Sequence, residues 1–362
     1  MQTNRHPKNL HVRLSRAVIC VLAVYAVIFL LHPAELAAQV VRLPAVEPTG
    51  SVTTDSLVYP PPDAGQPGQL VSHPDSSSEI LQTPDRNDIA VAEEPKLPPG
   101  VRNGVFQKIL FDGTWLAPGG ADGLGIYDLH LQSIFALPCP TIQSPMVITP
   151  GFAVHYLDGP ASTDLPARLY DAVIQFRWFS QVTPTLGLDL SLTPGVFSDF
   201  DQSSSKAFRM PGHAAAAYTL NDTTKIVLGA AYLARPDLNV IPIGGIIWTP
   251  RDDWKLDLLF PEPKIAHRVT WCGHLGDDIQ DWVYIAGEFM GDAWAIRRSD
   301  GSTDQVVLSD DRILLGMERK VIGGASSKVE IGYVFNRRVR YTSSTPDFWP
   351  DSTVLLRCGL TY

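Results

Sequence analysis

Paired acids stand at Asp252-Asp253, Asp277-Asp278 and Asp310-Asp311, and five histidines, His130, His155, His213, His267 and His274, lie beyond residue 100. Adjacent carboxylates offer oxygens to a calcium ion, but none of these pairs has the alternating ligand spacing of an EF-hand. Each pair sits among turn-forming residues, where an Asp side chain bonds nearby backbone, so solvated turns are expected. None of the histidines has the i, i+4 spacing that puts two imidazoles on one helix face. Cys272 and His274 are near neighbours with ligand atoms suited to a soft metal, but two ligands are too few. No GxSxG, HExxH, phosphate loop or CxxC occurs. The expectation is a non-enzyme without catalytic residues, cofactor or metal.

The residues left to meet a solute are charges placed singly inside alternating runs. Ala172, Ile174, Phe176 and Trp178 share one face, and Asp171, Gln175 and Arg177 the other. In the same way, Leu186, Leu188, Leu190 and Leu192 oppose Asp189, and Ile226, Leu228, Ala230 and Tyr232 oppose Lys225. Val283, Ile285, Gly287 and Phe289 oppose Glu288; Val329, Ile331, Tyr333 and Phe335 oppose Glu330; Val354, Leu356, Cys358 and Leu360 oppose Arg357. Period-two alternation specifies strands. An apolar face against a small or charged one is the pattern of a barrel with lipid outside and a polar lumen inside. An Arg or Lys facing lipid near the midplane costs about 2–4 kcal/mol, so these charges belong inside. Asp171, Arg177, Asp189, Lys225, Glu288, Glu330 and Arg357 are therefore the candidate lumen-lining residues. Their mixed sign suits a water-filled pore of weak selectivity, or pairs that cross a narrow barrel and close it.

The elements that must position them begin near residue 101. Ahead of that point, Arg5, Lys8, Arg13 and Arg16 precede an uncharged apolar run from Ala17 to Leu31, then small residues at Ala34, Ala37 and Ala38. That is the order of a signal peptide, assigned to 1–38. The run is shorter than the roughly 20 residues that a spanning helix needs. Residues 39–100 form a Pro-rich acidic arm: between Val41 and Gly100 lie 11 of the 30 prolines and nine acids against three basic residues. With few large apolar side chains to offset ordering entropy, the arm is expected to be disordered. It carries -6 of the net charge of -9, so the acidity says little about a barrel ligand. Cys139, Cys272 and Cys358 remain after the signal, an odd number without a disulfide framework.

Residues 101–362 read as an all-β, antiparallel up-and-down transmembrane β-barrel. Thirteen candidate strands can be marked, among them 184–198 and 312–321, but single-chain bacterial barrels have an even number. In Trp254–Trp271, Pro261 and Pro263 would both withhold ladder donors on one side of a strand. Splitting there gives fourteen strands and puts the short turns near 182–184, 221–224, 250–253 and 323–327 at one end, the periplasmic one. Fourteen is favoured. If the two halves form one kinked strand and 104–117 lies outside the wall, the number is twelve.

The segment Gly244-Gly-Ile-Ile-Trp-Thr-Pro-Arg-Asp-Asp-Trp-Lys-Leu-Asp-Leu-Leu-Phe-Pro-Glu-Pro263 resembles a family of functionally uncharacterised bacterial outer-membrane β-barrels. The alternating end at Tyr362 resembles the terminal strand by which such barrels are recognised for assembly. The resemblance implies an outer-membrane location and supplies no substrate. The expected function is a passive pore or small-solute transporter. The alternatives are a plugged structural barrel anchoring the arm, or a soluble secreted β-sandwich binding module. Expected partners are outer-membrane lipid, the barrel-assembly machinery, and a cell-wall or periplasmic partner of the 39–100 arm, with no nucleic acid.

Overall fold

The computed structural model describes residues 104–120, 123–141, 144–201, 205–269, 279–321 and 324–362. The signal peptide, the arm, Cys272, His274 and the Asp277-Asp278 pair lie outside the described residues.

Alternation in the sequence becomes sixteen strand segments: β1 (Phe106–Leu116), β2 (Gly125–Thr141), β3 (Ser144–Asp158), β4 (Arg168–Thr183), β5 (Leu186–Leu192), β6 (Gly195–Ser198), β7 (Phe208–Arg209), β8 (Gly212–Asn221), β9 (Thr224–Tyr232), β10 (Val240–Arg251), β11 (Trp254–Phe260), β12 (Lys264–Val269), β13 (Ile279–Arg297), β14 (Thr303–Val321), β15 (Ser326–Tyr341) and β16 (Thr353–Thr361). All except β6 and β7 form a closed antiparallel barrel of fourteen strands. β1 pairs with both β2 and β16, and β12 pairs with β13, so the wall has no free edge where these strands run.

The split at Pro261–Pro263 is real. β11 and β12 are separate antiparallel strands, with Asp257 opposite Lys264 and Trp254 opposite His267. The connections at 184–185, 222–223 and 252–253 are two residues long and lie at the end of the barrel that carries Tyr362. This is the turn end, and the longer connections at 117–124, 193–211 and 342–352 crowd the opposite, loop end.

Two sequence expectations are corrected. The single strand expected over 184–198 is broken at Thr193 and Pro194, and its hairpin partner is broken at Pro211. Proline has no N–H to donate, so the ladder is interrupted at both positions. Beyond the break, β6 continues along β4, with Gly195 to Ser198 opposite Val173 to Tyr170, and then meets β13 at Ser198 and Ala295. The Asp310-Asp311 pair does not occupy a turn. It lies inside β14, where Asp310 bonds Arg312 and Asp311 accepts from Asn336 of β15. Side-chain partners on β14 and β15, not local backbone, satisfy these two acids.

The bridge from β4 through β6 to β13 narrows the barrel. β12 reaches only as far as Ala286 on β13, while β13 continues to Arg297. Above that level, β13 to β16, β1 to β4 and β6 make a smaller ring. The loop 233–239 folds back against β13, where a Cβ at Gly291 would collide with the Arg235 guanidinium. Burial raises the Asp237 carboxyl in this loop, but the hydrogen bonds and charge of Arg235, with the charge of Arg340, together lower it by more, and its pKa ends below the usual carboxylate range.

An apolar cluster fills the small ring, with buried side chains from all nine strands: Leu116, Ile126, Leu157, Leu169, Phe197, Trp294, Ile296, Val306, Val334, Val339, Tyr341 and Leu355 among them. A second cluster, including Ala215, Val227, Ile243, Ile247 and Leu259, covers the inner faces of β8 to β11. The outer face is apolar too. Every wall strand except β12 exposes a large hydrophobic residue, such as Phe111, Leu131, Phe152, Ile174, Leu228, Ile246, Ile285, Ile313 and Ile331. So continuous an apolar belt far exceeds the patches that soluble monomers expose, and it fits lipid.

Val227 is 0% exposed and its neighbour Leu228 66%, which places Leu228 on the belt. Leu228→Arg is expected to lower unfolding free energy in lipid vesicles by about 2–4 kcal/mol relative to Leu228→Ile, measured by urea titration. Equal stability of the two variants would remove Leu228 from a lipid-facing surface.

Candidate functional site

A buried charge needs a partner and hydrogen bonds, or it neutralises. The interior of the barrel meets that requirement with three groups of polar side chains, all on the face opposite the apolar belt.

The largest group centres on Arg357 of β16. Its guanidinium donates to both carboxylate oxygens of Glu288, at 2.7 and 2.9 Å, and to Glu330 at 3.0 Å. Glu288 lies on β13, with β14 and β15 between it and β16, so this fork spans the inner face of three strand spacings. Arg312 stands 3.7 Å from Glu288 and donates to Asp310 at 2.6 Å. The Tyr284 hydroxyl donates to Glu330 at 2.8 Å. Gly316 permits this: it pairs with Tyr284 across β13 and β14, and a Cβ there would strike the tyrosine ring. Lys328 and Asp112 extend the layer to β1, 3.3 Å apart.

The second group is built on β2, β3 and β4. The two ring nitrogens of His155 each meet a carboxylate, Nδ1 with Asp128 at 2.7 Å and Nε2 with Asp171 at 3.0 Å. The indole N–H of Trp294 donates to Asp171 at 2.6 Å, tying β4 to β13 across the narrow ring. His130 stands edge-on to His155, with ring centroids 5.4 Å apart.

The third group joins β4, β5 and β8. Arg177 donates twice to Asp189, at 2.8 and 2.5 Å, and His213 places Nε2 3.1 Å from the same carboxylate. Nδ1 of His213 is 2.7 Å from the Ser191 hydroxyl, whose oxygen also accepts from the His213 backbone N–H at 3.3 Å. Serine, histidine and aspartate thus stand at the separations of a nucleophile, its base and an orienting acid. Arg177 holds the aspartate from the other side, and all of these residues sit in the wall.

Six of the seven residues singled out in the sequence fall into these groups: Glu288, Glu330 and Arg357 in the first, Asp171 in the second, Arg177 and Asp189 in the third. The structure does not bring all seven to one place. Lys225 lies nearer the turn end, between Thr219 of β8 and Ile247 of β10. Other lysines occupy that end too: Lys255 lies 3.3 Å from Asp257, and Lys264 and Lys320 lie 3.7 and 3.8 Å from Glu318. Sequence reading missed the histidines, because it tested them for helical spacing. On a strand, i and i+2 share a face, which Asp128 and His130 do, and a neighbouring strand supplies His155.

The site and wall define the class: a closed β-barrel whose inner wall is lined by ion pairs. No family model matches the chain, and no curated protein matches it. Among solved structures it is similar to LpxR from Salmonella typhimurium (9% identity, 70% of this chain and 99% of that one, TM-score 0.34). It is also similar to a mutant of the Rh. blastica porin (10% identity, 72% and 99%, TM-score 0.29). A third is Pseudomonas aeruginosa OpdK with vanillate (10% identity, 70% and 97%, TM-score 0.28). No activity, substrate or residue role passes from them to this chain.

Removing one member of a buried ion pair strands its partner, at a cost of about 3–5 kcal/mol. Arg357→Met is expected to destabilise the barrel by about that amount. Adding Glu288→Gln and Glu330→Gln should recover most of the loss in urea unfolding. If the single and the combined variants are equally stable, Arg357 is not neutralising these two carboxylates.

Proposed function

We propose that the protein is an outer-membrane barrel of the pore or small-solute transporter class, closed to free diffusion in the state described. The observation that carries this reading is the apolar cluster in the narrow ring, where Leu116, Leu169, Val306 and Val334 are each 0% exposed. Water and ions do not cross a packed aliphatic layer, because a bare ion in such surroundings costs many kcal/mol. Beneath it, the Arg357–Glu288–Glu330 layer binds the strands facing that lumen to one another. The apolar belt supports a membrane location, and the short-turn end fits the periplasmic side of such barrels. A solute that passes must displace the cap or move the strand segments that carry it, β6 first among them.

A second reading, a structural barrel that anchors the 39–100 arm, is favoured by the same packing and needs no opening. Planar-bilayer recordings separate the two. The wild-type protein is expected to show no sustained conductance steps, and the double variant Trp294→Ala, Tyr341→Ala, which empties part of the cap, is expected to show them. Large steps from the wild type would overturn the closed state. Silence from the variant, with its barrel shown to be folded by heat-modifiable gel migration, would favour the anchor.

A further inference from the structure

We propose that Asp128, His130 and His155 form a binding site for a divalent transition-metal ion of the zinc type, at the underside of the apolar cap. The inference does not depend on transport, since a metal held here braces the wall whether or not anything passes.

Three residues from two strands converge. Asp128 and His130 are two positions apart on the inner face of β2, and His155 pairs directly opposite Asp128 on β3. The residue opposite His130 is Ala153, small enough to leave room for the imidazole to lean towards His155. One ligand atom from each of the three residues lies within 4.8 Å of the others. Tetrahedral donors bonded to zinc at about 2.1 Å stand about 3.4 Å apart, so modest side-chain rotation closes the set. Two imidazoles and a carboxylate suit zinc, cobalt, nickel or copper, and calcium and magnesium poorly. Three protein ligands leave a fourth position for water or another ligand.

A second, independent feature points the same way. A metal-bound histidine usually donates its other ring N–H to a carboxylate, which fixes the ring. Here Nδ1 of His155 faces Asp128, while Nε2 is 3.0 Å from Asp171, itself fixed at 2.6 Å by the Trp294 indole. Asp171 is thus the positioning carboxylate. One inward position nearer the loop end on the same three strands stand Ile126, Leu157 and Leu169, members of the cap. The metal would therefore bind directly under it.

The test uses the full-length mature protein in detergent, stripped with a chelator and dialysed against Zn2+, with metal counted by elemental analysis and Co2+ used as a spectroscopic probe. Wild type is expected to retain one Zn2+ per chain that His130→Ala and His155→Ala lose, with at least a tenfold weaker affinity. The control His213→Ala, in the third polar group, should retain it. Co2+ is expected to give the intense visible bands of a tetrahedral site in wild type and in His213→Ala alone. Heat-modifiable migration checks that each variant is folded. His130 makes no hydrogen bond to the Asp128–His155–Asp171 chain in this structure, so its loss tests binding without dismantling that chain. Equal zinc retention by wild type and both histidine variants would overturn the proposal, as would a wild type that retains none. In the second outcome, the cluster is a histidine held between two carboxylates.

Discussion

Backbone N–H and C=O groups left unpaired away from water are costly, so a β-wall with an apolar outer belt must pair every strand edge with another. That constraint governs the rest of the molecule. It requires β1 to meet β16, and because every wall pairing is antiparallel the ring closes on an even count, with the two prolines at 261 and 263 marking a turn. It also explains why the breaks at Pro194 and Pro211 matter. A strand interrupted in the wall must find its hydrogen bonds elsewhere, and β6 finds them on β4 and β13.

Narrowing follows from that rerouting. A fourteen-stranded circle is wider than the roughly eight strands that side chains alone can fill. By drawing β4 and β13 together, β6 divides the cross-section so that ordinary leucine, valine and aromatic side chains close the smaller ring. The Trp294–Asp171 hydrogen bond, between strands far apart in the wall order, is possible only because of this division.

Much of the wall was legible in the sequence because alternation is local: each of Ile174, Leu228, Ile285 and Ile331 announces its face through its two neighbours. The hidden hairpin was legible because proline's missing donor is a local fact too. What was not legible is whatever depends on how the strands are set beside one another. Arg357 and Glu288 are separated by 69 residues, and nothing nearby says which acid the arginine will grip. Asp310 and Asp311 look like a turn from their own residues, because their partners, Arg312 and Asn336, lie on a strand and its neighbour. The Asp128–His130–His155 group escaped notice for a related reason, since its spacing makes sense only once two strands are placed in register.

The central claim is that the interior at the loop end is packed and dry. It is tested most directly by placing a cysteine at Val306, in a chain whose own Cys20, Cys139, Cys272 and Cys358 are replaced by serine, and measuring its reaction with a water-soluble maleimide. A buried position should label only after heat unfolding, while a cysteine at a loop position such as Ser302 labels at once in the folded protein. Labelling of the Val306 position in the folded barrel at a rate like that of Ser302 would contradict the account.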